Sequence, residues 1–314
     1  MARAAVRRRN GRPPPAGQRA ERGHVDAELV LDAQAEVGEG PVWDARSARL
    51  LWVDILRSRV HTYDPVARRD SFVDVGRHVG AVVPRQSGGY VLALADGFAA
   101  WDGAQPVTPL APVEADRPGN RMNDGKVDPH GRFWAGTMAY DPFQHRRAGT
   151  LYRLDPDHSV HALVPDIAIS NGLDWSADAR RMYYIDSLAH GVDVFDYDAD
   201  TGAIGNRRRF IDIAPSDGIP DGMTLDAEGH LWVALYGGSR VRRYAPEGRL
   251  VDEVRLPVRQ VTSCAFGGSD YQDLYITSAG QHMTPEQWRR EPHAGGLFRA
   301  RPGVAGRASH AYAG

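Results

Sequence analysis

A short phrase recurs along this chain and confines it to a repeat architecture. Ile169-Ser170-Asn171-Gly172-Leu173-Asp174-Trp175-Ser176 sets an amide beside Gly, opens a short apolar strand and runs into turn residues. The same phase returns at Glu39-Gly40-Pro41-Val42-Trp43-Asp44, at Asp124-Gly125-Lys126-Val127-Asp128-Pro129 and at Asp221-Gly222-Met223-Thr224-Leu225-Asp226. Weaker echoes are Val79-Gly80-Ala81-Val82-Val83-Pro84 and Ser263-Cys264-Ala265-Phe266-Gly267-Gly268. The intervals are about 40 to 50 residues, the period of one four-stranded propeller blade.

The residues between the echoes read as further strands. Leu50-Leu51-Trp52-Val53-Asp54 and Arg59-Val60-His61-Thr62-Tyr63-Asp64 follow the first phrase, and comparable pairs follow each of the other five. Only Pro285–Arg290 suggests a turn of helix. With 34 Gly and 21 Pro punctuating short strands, the pattern predicts an all-β fold, a six-bladed β-propeller. The strand within Glu28–Val37 has no blade of its own and is expected to complete the last one, closing the ring and removing an exposed edge. One domain is expected over 27–314, with no internal linker.

Residues 1–26 carry seven Arg against Glu21 and Asp26, so this tail is +5 and the remainder −7 within a net charge of −2. The tail lacks an apolar signal-peptide core and is expected to be a disordered extension outside the fold. The acidic body argues against nucleic acid as a partner and is compatible with a bound cation. No apolar run approaches the ~20 residues that cross a bilayer. Cys264 stands alone, so no intrachain disulfide forms and a reducing, cytoplasmic location is expected. Its strand-like setting predicts an inert buried thiol. The expected assembly is a monomer or weak oligomer.

In a ring of blades, equivalent positions converge on one mouth of the central channel. Glu39 and Asp221, with Asn171 and Asp124, would form an all-oxygen cluster there. Hard oxygen donors suit calcium, magnesium or manganese, and zinc and ferrous iron also accept carboxylates. Crowded carboxylates raise one another's pKa, and a cation compensates them. Taken singly, Asn-Gly and Asp-Gly are turn dipeptides; the pattern across four repeats carries the argument. Arg121 and Asn123 precede the third inner strand and should overhang the same mouth, where a guanidinium and an amide suit a polyhydroxylated or carboxylated ligand. His78 and His130 read as exposed loop residues, and Trp52, Trp134, Tyr184 and Trp232 as packing between blades.

These stretches, together with Arg121-Met122-Asn123-Asp124-Gly125-Lys126, Gly136-Thr137-Met138, Tyr184-Ile185-Asp186-Ser187 and Pro220-Asp221-Gly222-Met223, resemble the regucalcin/gluconolactonase/luciferin-regenerating-enzyme family from about residue 30 onward. The resemblance implies a propeller with one divalent metal held by Glu39, Asn171 and Asp221, and hydrolysis of a sugar lactone with Asp221 as general base. It implies substrate contacts from Arg121 and Asn123, and from Asp141 at an acidic position after Gly-Thr-Met-Ala. Here the chain departs, reading Tyr140-Asp141-Pro142-Phe143, so the resemblance leaves the lid over Tyr140–Arg147 and the preferred sugar open. Two other readings stay open: a calcium-binding regulatory propeller without turnover, and a phosphotriesterase-like hydrolase on the same scaffold.

Overall fold

The computed structural model describes residues 25–314. Five blades are built from consecutive strands. Their innermost strands are Gly38–Asp44, Val79–Pro84, Asn120–Val127, Ser170–Trp175 and Ile219–Leu225, and that of the sixth is Val261–Gly267. Inner strands are buried on both faces, so they lack apolar–polar alternation; every residue of Val79–Pro84, Ser170–Trp175 and Val261–Gly267 is buried. Outer strands such as Arg69–Asp74 and Ile204–Asp212 are mostly exposed and rich in charge.

The sixth blade takes its outermost strand from the other end of the chain. We call the two N-terminal strands β1 (Val25–Asp26) and β2 (Glu28–Leu31). In β2, Glu28 pairs antiparallel with Arg299 and Leu29 with Phe298. The ring therefore closes as expected. In β1, Val25 and Asp26 pair in parallel with Val254 and Arg255, adding a fifth strand to the fifth blade. The propeller thus begins two residues before the expected boundary at residue 27. The rest of the expected basic extension, residues 1–24, lies outside the described residues. The short helix Pro285–Arg290 is present, opened by a Thr284–Gln287 capping box.

Packing between blades relies on the second-strand aromatics. Trp52, Trp134, Tyr184 and Trp232 are at most 1% exposed. Trp134 meets Trp175 of the next blade edge to face at 5.8 Å between centroids. At the ring closure, Trp43 and Trp52 share a cluster with Tyr275 and Leu297 of the sixth blade.

Two features were not foreseen. Every inner strand carries a register shift where the recurring phrase falls: between Glu39 and Val42, Val79 and Ala81, Met122 and Gly125, Ser170 and Leu173, Pro220 and Met223, and Val261 and Ser263. A bulge re-aims the side chains beside it, and six bulges at one end define what we call the upper mouth. The other feature is a C-terminal strap across the lower mouth. Gly306 N donates to Tyr271 O (2.8 Å), Arg307 to Trp175 O (2.7 Å), Tyr312 N to Pro84 O (2.8 Å) and Ala313 N to Gly131 O (2.9 Å). With Ala227 N donating to Ala305 O (2.9 Å), the strap ties five blades together.

Candidate active site

Close approach to the next inner strand explains Gly80, Gly172 and Gly222 of the recurring phrases, whereas Gly40 is held at a φ of +51°. A Cβ on Gly172 would meet Asp221 O at 2.7 Å, and one on Gly80 would meet Asn123 O at 2.0 Å. These are not turn glycines. They let neighbouring inner strands approach closely enough for their preceding side chains to share one mouth.

Glu39, Asp124, Asn171 and Asp221 meet there, each at most 8% exposed. Burial, then the charges of Asp221 and Asp124, hold the Glu39 carboxyl well above its usual range. Burial followed by Asp124 does the same to Asp221, which shares a hydrogen bond with Glu39 and lies beside the Asn171 amide. Burial pushes Asp124 up to about 6, against the opposing pull of Lys126 and the Gly125 N–H. Gly40 N donates to Glu39 Oε2 and Gly125 N to Asp124 Oδ1, both at 2.7 Å.

Anchors behind the cluster aim it. Asp54 accepts from Glu36 N and Val37 N, fixing the chain that enters the Glu39 strand. Asp186 plays the same part for Asn171, accepting from Ala168 N and Ile169 N. Asn171 Nδ2 donates to Ser187 Oγ at 3.0 Å, which orients the amide. Its Oδ1 is buried and accepts no hydrogen bond. An orphaned carbonyl oxygen among mutually repelling carboxylates is an uncompensated arrangement, and a hard cation satisfies both features. Glu39, Asn171 and Asp221 therefore fit a divalent metal, with Asp124 close by.

Beside them, Arg121 Nη1 donates to Asn123 Oδ1 (2.7 Å) and Met122 O (2.9 Å), and Asn123 Nδ2 donates to Ser170 O (2.8 Å). Burial lowers the Arg121 guanidinium to about 10, opposed by Tyr140, Glu39 and Asp221. Both side chains are thus held at the cluster's edge. Asp141 stands apart: it is exposed, and its Oδ1 accepts from Gln144 N (3.1 Å) to cap its own loop. Tyr140 is the loop residue that faces Arg121, with the guanidinium carbon 6.0 Å from its ring centre. His78, expected to be an exposed loop residue, is half-buried, with Nδ1 2.7 Å from Tyr140 Oη. His130 is exposed as expected.

Below the cluster the channel widens into a cavity of about 250 Å³ whose walls include Asp124, Lys126, Asp174 and Arg307. Lys126 Nζ donates to Asp174 Oδ2 (3.1 Å) and Met223 O (2.8 Å). Cys264 is buried and its thiol is pushed up to about 12, mainly by desolvation, consistent with an inert role.

A second group, Asp226, Glu228 and His230, also brings metal-ligating atoms together. Asp226 is already saturated: it accepts from Glu228 N, His230 N, Trp232 Nε1 and Arg243. Asp128 repeats the arrangement with His130 N, Arg132 N, Trp134 Nε1 and Tyr197 Oη. These carboxylates anchor turns and second-strand tryptophans. The recurring phrase includes both of them, but an Asp in a turn looks the same in sequence whether or not a Trp lies above it.

A family model described as "SMP-30/Gluconolactonase/LRE-like region" matches residues 37–280, the span that contains every residue of the cluster. The chain belongs to this family. Among curated relatives it is similar to regucalcin of Xenopus laevis, 46% identical over 92% of this chain and 99% of that one. Among solved structures it is similar to a luciferin-regenerating enzyme (TM-score 0.86, 36% identity, 92% of this chain and 99% of that one). It is also similar to a calcium-binding protein, regucalcin, of Agrobacterium tumefaciens (TM-score 0.87, 30% identity, 93% and 97%). Family membership matches the resemblance seen in the sequence and the six-bladed architecture. Among the described residues no helix is long and apolar enough to cross a membrane.

Proposed function

We propose that this chain is a divalent-metal-dependent lactonase that hydrolyses sugar lactones of the aldonolactone class to aldonic acids. The observation that carries the reading is the orphaned, oriented Oδ1 of Asn171 amid the Glu39, Asp221 and Asp124 carboxyls. Glu39, Asn171 and Asp221 would hold the metal, which when bound supplies Lewis-acid polarisation of the lactone carbonyl and compensates the oxyanion. Calcium, magnesium, manganese, zinc and ferrous iron all accept such an oxygen set.

The chain's own residues do the rest. Asp221 takes a proton from the attacking water as its oxygen bonds to the carbonyl carbon. The ring C–O bond then breaks, and the proton is returned to the departing ring oxygen, leaving a carboxylic acid and a free hydroxyl. Arg121 and Asn123, locked to each other and to Ser170 O, orient ring hydroxyls without costly reordering. Burial of all six groups limits bulk water at the reacting carbonyl.

A second reading, a calcium-binding propeller without turnover, draws support from the calcium-binding description of the Agrobacterium relative. Proton release from a panel of aldonolactones separates the two, using stripped protein refilled with one metal at a time. Turnover that returns with metal supports the lactonase. Metal uptake with proton release at the spontaneous rate supports the binding protein.

A further inference from the structure

Where an acidic side chain was expected to meet the substrate, this chain turns an aromatic ring toward the mouth. Tyr140 N donates to Gly119 O (3.0 Å) and Pro142 is buried, so the loop is pinned on both sides of Asp141. That pinning leaves Asp141 outward and Tyr140 over Arg121. The Tyr140 hydroxyl lies 2.7 Å from His78 Nδ1, and the two rings meet edge to face at 5.6 Å. A loop of the second blade thus holds a loop of the third across the rim. Arg121 cannot swing away, because Nη1 is committed to Met122 O and Asn123 Oδ1. Tyr140 keeps 44% of its surface exposed, and Phe143 on the same loop keeps 63%. Two of the four large exposed apolar side chains among the described residues therefore sit on this one rim loop.

We propose that Tyr140, positioned by His78, is the specificity-determining contact of the site, giving the sugar ring an aromatic wall in place of a carboxylate. The proposal rests on the lactonase reading. A carboxylate selects hydroxyl pairs, whereas an aromatic face selects an unbroken C–H face. The site therefore favours six-membered lactones whose hydroxyls are all equatorial, such as glucono-δ-lactone. It disfavours those with an axial hydroxyl on that face, such as galactono-δ-lactone.

The test compares both lactones on metal-loaded parent, Tyr140→Ala, Tyr140→Phe, His78→Ala, His78→Gln and Asp141→Ala. Binding of the non-hydrolysable glucono-δ-lactam is measured by calorimetry alongside. Tyr140→Ala should raise KM for the gluco substrate about 5–10-fold, weaken lactam binding equally, leave kcat within about twofold and erase the preference. Tyr140→Phe keeps the ring but drops the hydrogen bond to His78, so it should keep only part of the preference. His78→Ala should lose part of it and His78→Gln restore it, as expected of a positioning residue. Parent-like kinetics and lactam binding in Tyr140→Ala, or the loss falling on Asp141→Ala, would overturn the proposal. Should the parent bind lactam through Tyr140 but hydrolyse no lactone, the wall stands and the lactonase reading falls.

Discussion

Asp124→Asn tests the electrostatics of the site without relying on turnover. The substitution keeps the shape of the side chain, and the Asn oxygen can still accept from Gly125 N, as Asp124 Oδ1 does at 2.7 Å. It removes a carboxyl whose pKa is raised in the fold to about 6 from 3.8. A raised folded-state pKa destabilises the ionised protein: the penalty is absent below the unfolded value, grows as pH rises toward about 6 and is constant above. At 1.36 kcal/mol per pKa unit the shift corresponds to roughly 3 kcal/mol above pH 7 and under ~1 kcal/mol at pH 4. Denaturant unfolding in chelator should therefore find Asp124→Asn the more stable protein at pH 8, with the advantage shrinking on acidification. Saturating metal should reverse the order, because the ionised Asp124 then faces a cation. An advantage that is the same at pH 4 and pH 8, or none at pH 8, would refute the account of Asp124 as a buried carboxylate that only a cation compensates.

Three further outcomes follow from the anchors. Ser187→Ala removes the hydroxyl that orients the Asn171 amide and should weaken metal affinity about tenfold by calorimetry, with the fold intact. Asp226→Ala leaves Trp232 Nε1, two backbone N–H groups and part of the Arg243 charge unpartnered. It should cost ~3–5 kcal/mol in unfolding experiments while the metal stoichiometry stays unchanged; loss of a metal equivalent would instead mark the Asp226, Glu228, His230 group as a site. Arg307→Ala breaks the strap's hold on Asp174 and Trp175 O and should destabilise the protein by ~1–3 kcal/mol, with KM for lactone unchanged because the strap crosses the opposite mouth.

The blades and the cluster were legible for one reason: both are periodic. Glu39, Asp124, Asn171 and Asp221 occupy one phase of a repeat, and a ring converts equal phase into one place. The closing strand β2 was legible because a strand without a blade must pair somewhere. The bulges were not legible, since the Gly they require for strand-to-strand approach is the residue a turn would also use. Tyr140 and His78 were missed because their contact joins loops of two blades 62 residues apart, and an exposed aromatic beside an acidic residue carries no period. The strap was missed for the same reason: Arg307 reaches one blade through its guanidinium, while Tyr312 N and Ala313 N reach the ends of two others, and such scattered contacts carry no period. Asp54 and Asp186 end second strands in equivalent positions, so their anchoring of the Glu39 and Asn171 strands was a periodic signal that could have been read.

The central claim is that one metal at Glu39, Asn171 and Asp221 makes this propeller a lactonase. Manganese titrated into stripped protein, with bound ion followed by electron paramagnetic resonance and glucono-δ-lactone hydrolysis by proton release, tests it most directly in parent and Asp221→Ala. The account predicts one ion per chain, hydrolysis that rises in step with occupancy, and loss of both in the variant, with activity falling on the order of 10²–10⁴-fold or more. Hydrolysis at full rate in stripped protein, or an Asp221→Ala variant that binds the ion and turns over lactone as the parent does, would contradict it.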